Sequence, residues 1–66
     1  MKLWIDVNEV VPAKSGYYRT KWRPIKHIGA QEVECHYDKD TSTWEVHDSV
    51  GVFKCSDMVT HWKEIE

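Results

Sequence analysis

Residues Gln31 to Asp48 read Q-E-V-E-C-H-Y-D-K-D-T-S-T-W-E-V-H-D, and the two alternating runs in this stretch decide the fold. In the first run Val33, Cys35 and Tyr37 alternate with Glu32, Glu34, His36 and Asp38; in the second Trp44 and Val46 alternate with Glu45 and His47. A period of two puts one set on each face of a half-buried strand, and no helical stripe fits it. Between the runs, Lys39 to Ser42 is polar turn chemistry. Placing Tyr37 opposite Trp44 sets Cys35 against Val46 on the apolar side. On the polar side it sets His36 against Glu45 and Glu34 against His47. Both faces are then complementary, each pair contributing ~0.2–1 kcal/mol, and a slip of one residue would put charge against core. With two imidazoles on the polar face, mild pH sensitivity is expected there.

Working outward, the flanking segments repeat the same signal. Tyr17 to Arg23 alternates Tyr18, Thr20 and Trp22 with Tyr17, Arg19, Lys21 and Arg23. Pro24 should break the ladder or lie at an edge, since it has no N–H to donate. Near the start, Lys2 to Val7 places Leu3, Ile5 and Val7 on an aliphatic face. Asn8 to Gly16 reads as a connection, with room for one short turn around Val10 and Val11 before Pro12. Val50, Val52 and Phe53 form a short strand, and Met58 to Ile65 the last one.

The reading is of a mainly β chain: a small, strongly twisted antiparallel sheet or partial barrel of about five short strands, with at most one helical turn. Its 66 residues make one domain, 1–66. The expected core is Leu3, Ile5, Tyr18, Trp22, Val33, Cys35, Tyr37, Trp44, Val46, Phe53, Val59 and Trp62. No apolar run approaches the ~20 residues of a membrane-spanning helix, and no secretory h-region is seen. A cytoplasmic location without a membrane partner is expected. Four Trp, three Tyr and one Phe substitute for a larger core, and the spread of Trp4, Trp22, Trp44 and Trp62 suits one shared cluster better than a base-stacking platform.

Cys35 and Cys55 are most simply two reduced, buried thiols, with a disulfide or a metal as the alternatives. Cys35, His36, Cys55 and His61 have ligand chemistry, but adjacent strand residues point to opposite faces and no close ligand pair is present, so no metal or cofactor is expected. Cys55 with His61 could be drawn as nucleophile and base on residue type alone. The three glycines are isolated, so no phosphate loop or dinucleotide fingerprint exists, and no catalytic residue is assigned. His61 reads as a satisfied structural histidine beside a core Trp62.

Charge is strongly segregated. Residues 10–31 hold Lys14, Arg19, Lys21, Arg23 and Lys26 without an acid, a +5 segment against a −7 remainder and a net charge of −2. Tyr17, Arg19, Lys21, Arg23 and Lys26 form a candidate partner or nucleic-acid surface; the alternative is a charged edge strand that resists aggregation. Glu32, Glu34, Asp38 and Glu45 form a candidate acidic patch, giving two faces of opposite sign that could steer a partner or a second copy.

The two ends are the most distinctive parts. Trp4 to Pro12 reads W-I-x-V-x-E-x-x-P, followed by Gly16-Tyr17-Tyr18, and Val59 to Trp62 reads V-T-H-W. Together they resemble a phage- and prophage-enriched domain-of-unknown-function family (family 551), whose members open W-I-S-V-x-x-x-x-P-x-x-G-x-Y and close V-T-H-W-M-P-L-P. Trp44 looks like that family's central Trp. Departures are Asp6 in place of the common Ser and Lys63-Glu64-Ile65-Glu66 in place of the closing M-P-L-P. The resemblance implies a phage origin and a β-rich fold; it supplies no known activity and no catalytic residues. The expected role is a non-enzymatic accessory protein of the host cytoplasm that binds and modulates a host protein. Nucleic-acid binding through residues 14–26 is the alternative, and a homodimer is a further expected option.

Overall fold

The computed structural model describes residues 3–27 and 29–65, apart from the side chains of Ile25 and Ala30. Lys2, read as the start of the first strand, lies outside the described residues. Six strands follow in chain order: β1 (Ile5–Asp6), β2 (Gly16–Ile25), β3 (Gly29–Asp38), β4 (Thr43–Asp48), β5 (Gly51–Lys54) and β6 (Val59–Lys63). They form one open antiparallel sheet in the order β1-β6-β2-β3-β4-β5, not a closed barrel. Among the described residues no helix is long and apolar enough to cross a membrane.

The register anticipated for the hairpin is present where the turn fixes it. Tyr37 pairs with Trp44 and His36 with Glu45. The ladder ends there, so Cys35–Val46 and Glu34–His47 are not paired. The chain leaving β5 folds back, the Cys55 amide donates to the Trp44 carbonyl at 2.9 Å, and the Cys55 sulfur packs on Cys35. On the other side of β3, a long ladder with β2 runs from Gly16–Tyr37 to Trp22–Gln31 and resumes at Ile25–Gly29. The interruption falls at Arg23 and Pro24, where the missing proline N–H is expected to interrupt pairing. The Arg23 amide turns to the Met58 carbonyl at 2.8 Å. Gly29, at φ 83°, closes the β2–β3 turn in the left-handed region where other residues are strained. Because β2 lies between β6 and β3, it is an interior strand, and the expectation of a charged edge strand is corrected.

A single sheet must cover its apolar face, and no second layer of strands or helices does so among the described residues. The connection between β1 and β2 takes that part. Its one turn sits at Val7–Glu9, not at Val10 and Val11: the Asp6 carbonyl accepts from Glu9 and Val10, and the Asp6 carboxylate accepts from the Asn8 amide. The segment then crosses the aromatic cluster. Trp62 Nε1 donates to the Val10 carbonyl at 2.8 Å, Tyr18 Oη donates to the Lys14 carbonyl at 2.8 Å, and Pro12 is buried. Beneath it Tyr18 stands edge-on to Trp62 and Trp44, at centroid separations of 5.2 and 6.2 Å, and Tyr37 packs on Trp44 at 4.7 Å. Such pairs each contribute ~0.5–1.5 kcal/mol beyond area burial.

The fully buried core is Cys35, Tyr37, Trp44, Cys55, Val59 and Trp62, with Ile5, Val7, Tyr18, Trp22, Val33, Val46 and Met58 packed around it. Two expected core residues are corrected. Leu3 is 79% exposed because it precedes a two-residue edge strand; Phe53 is 52% exposed because β5 is the other edge of the sheet. Trp4, counted with the shared aromatic cluster, sits instead among lysines on the opposite face. Thr20 is a fully buried polar residue whose hydroxyl is satisfied by the Val33 carbonyl at 2.7 Å. The two aromatic positions of β4 and β5 should therefore behave differently. Trp44→Ala should cost about 3–5 kcal/mol, enough to unfold a domain this small, whereas Phe53→Ala should cost under about 1 kcal/mol. Thermal denaturation followed by circular dichroism measures both.

Candidate functional site

The polar face of the sheet gathers most of the chemistry-bearing residues. On β2 it presents Tyr17, Arg19 and Lys21, because Tyr18 and Thr20 face the core. Register then fixes what stands beside them: His36 beside Tyr17, Glu34 beside Arg19 and Glu32 beside Lys21 on β3, with Lys63 beside Arg19 and His61 beside Lys21 on β6. The expected basic and acidic surfaces are thus adjacent stripes on one face, not two faces of opposite sign. Arg19 reaches Glu32 at 4.0 Å, an exposed pair worth little. Lys21 and Lys63 hold their ammonium groups 4.9 and 4.6 Å from the centroid of the Trp4 ring. Trp4 is thus a second aromatic member of the basic stripe beside Tyr17, held by cation–π contact with two lysines.

The other candidates disperse. Arg23, past the ladder irregularity, borders a polar cleft of about 470 Å³ with Asp6, Asn8, Asp57 and His61. Lys26 is exposed in the β2–β3 turn. Asp38 caps the β3–β4 turn through its carboxylate, which accepts from the Asp40 amide at 2.9 Å. Glu45 alone of the acidic group enters a compact cluster, with His36 across the strand and His47 two residues along. The strand pattern pairs His36 with Glu45, as observed, but sets His47 against Glu34. The i, i+2 spacing of Glu45 and His47 on one strand face was the available signal.

The ligand set Cys35, His36, Cys55 and His61 does not assemble. Cys35 and Cys55 lie in the core, His36 and His61 on the polar face, which also separates Cys55 from His61 as nucleophile and base. His61 pairs with the Thr60 hydroxyl through Nδ1 at 2.9 Å, while Trp62 fills the core. The two cysteines are free, with sulfurs 3.7 Å apart. The bond between them makes Cys35 the acidic member. As a thiolate it would accept from the Cys55 thiol, which lowers its pKa to about 6 against the opposing effect of burial, and the Thr20 hydroxyl adds to the lowering. Donation to Cys35 and burial push the Cys55 thiol up.

Comparison of the chain with family profiles, with curated proteins and with solved structures returns no match.

Removing the Cys55 donor should raise the Cys35 pKa by about a unit or more, because its largest lowering contribution disappears while burial remains. Thiolate absorbance of native wild-type and Cys55→Ala protein, titrated against pH, measures the rise. An unchanged midpoint would show that the bond does not govern Cys35.

Proposed function

We propose that this chain is a non-enzymatic accessory protein that binds another protein, and that the free edge of β5 is the docking strand. The observation that carries this reading is the exposure of apolar side chains around that edge: Val50 is 82%, Val52 56% and Phe53 52% exposed. β5 ends the sheet, so its outer backbone groups have no strand neighbour. Free backbone groups flanked by apolar side chains suit addition of an extended segment from a partner, main-chain bonds giving affinity and the side chains selectivity. The separation of Cys55 from His61 supports a binding role over catalysis.

The resemblance of the chain's two ends to a phage-enriched family supports a phage setting, with a host protein as partner. Two unbridged thiols suit the reducing host cytoplasm. A second copy of the chain is the competing occupant of the edge. The nucleic-acid reading is disfavoured by the acidic stripe of Glu32 and Glu34 running beside Arg19 and Lys21, where it would repel a phosphate backbone.

Affinity capture from host lysate, with and without nuclease, tests the proposal. Wild-type protein should retain a protein that nuclease does not release. The double variant Val52→Lys, Phe53→Glu should lose it while melting normally, and Arg19→Glu with Lys21→Glu should keep it. Retention of nucleic acid that is lost in the Arg19 and Lys21 variant would overturn the protein-binding reading. Unimpaired capture by the β5 variant would overturn the assignment of the edge.

A further inference from the structure

We infer that His36, Glu45 and His47 form a binding site for a divalent transition-metal ion of the zinc class, open to solvent on the polar face of the β3–β4 hairpin. The three residues each offer one ligand atom, and these atoms all lie within 4.8 Å of one another. Their placement follows from strand geometry. His36 and Glu45 are a register pair, and His47 is two residues from Glu45, hence on the same face. Two ligands about 2.1 Å from a tetrahedral ion sit about 3.4 Å apart, so side-chain rotation alone can close the cluster around an ion. Glu45 Oε1 and His47 Nε2 already stand 3.9 Å apart.

Two further observations point to a ligand. His36 Nδ1 is buried without a hydrogen-bond partner, which is costly for a polar ring nitrogen that no group satisfies. Tyr17 supplies the outer support that metal-bound histidines usually have. Its hydroxyl is 3.4 Å from His47 Nδ1, which leaves Nε2 turned to Glu45. The Tyr17 ring also stands edge-on to both imidazoles, at 5.0 Å from His36 and 5.8 Å from His47, and walls one side of the cluster. The imidazoles themselves lie 5.1 Å apart.

Two imidazoles and one carboxylate are a borderline donor set, suited to zinc and its neighbours and too nitrogen-rich for magnesium or calcium. Lys54, the register partner of Glu45 on β5, is the one cation that the ladder places beside the carboxylate, and it would compete for it. His47 is exposed, so three protein ligands would leave a fourth position to water. An ion here would tie β3 to β4 and raise the melting temperature in proportion to its occupancy.

Titration with zinc chloride by calorimetry and thermal denaturation, and with cobalt chloride by visible spectroscopy, tests the site. The expected result is one ion per chain, a higher melting temperature reversed by EDTA, and a tetrahedral cobalt spectrum without thiolate charge transfer. His47→Ala, at an exposed position that leaves the fold intact, should weaken zinc binding at least about tenfold; Glu45→Gln should also weaken it, and Tyr17→Phe by less. Three results would overturn the inference: no zinc response up to millimolar concentration, unchanged affinity in His47→Ala, or a cobalt–thiolate band placing the ion on Cys35 and Cys55.

Discussion

The hydrogen bond from the Trp62 indole to the Val10 carbonyl holds in place the segment that covers the apolar face of a one-layer sheet. Six strands in a single sheet have two faces, and the apolar one must leave water for the domain to be stable. Strand twist brings Tyr18, Tyr37, Trp44 and Trp62 together, and the β1–β2 connection crosses them. Trp62 and Tyr18 each serve twice in this arrangement, as apolar bodies in the core and as donors that fix the covering backbone. In so short a chain, residues with both properties replace a second layer.

The same economy shapes the polar face. With the apolar side committed to the core, the charges of β2, β3, β4 and β6 share the other side, and register interleaves them. Of the +5 segment, Arg19 and Lys21 lie against Glu34 and Glu32 of β3, so charge separated along the chain is partly neutralised in space. Distinct chemistry survives at the margins of this face. The β5 edge is apolar, the Trp4 corner is cationic, and the β3–β4 hairpin gathers nitrogen and carboxylate donors.

How much of this was legible in the sequence depends on which force set each feature. Strand positions and the Tyr37–Trp44 register were legible because alternation and turn chemistry are local. The exposure of Leu3 and Phe53 was not, since alternation tells which face a side chain takes and not whether its strand has a neighbour. Nor could periodicity place β2 in the interior, which depends on β6 returning between β1 and β2. Tyr17, Arg19 and Lys21 were correctly put on one face, but Arg23 was lost to the irregularity at Pro24. Glu45 and His36 were paired correctly, while His47 was misassigned because the ladder ends before it. The contact of Cys55 with Cys35 arises from a non-repetitive turn, where a sequence has no period to read.

The account stands on the β1–β2 connection acting as the cover of the core, and limited trypsin digestion at Lys14 tests that most directly. Lys14 lies in the connection, and its carbonyl is held by Tyr18. Replacing both donors, in the variant Trp62→Phe, Tyr18→Phe, removes the two bonds; Tyr18 keeps its ring, and position 62 keeps an aromatic ring smaller than the indole. The expected result is cleavage after Lys14 at least about tenfold faster than in the wild type, with a lower melting temperature. Equal cleavage rates and equal melting temperatures would contradict it, because the connection would then be held by something other than these two bonds.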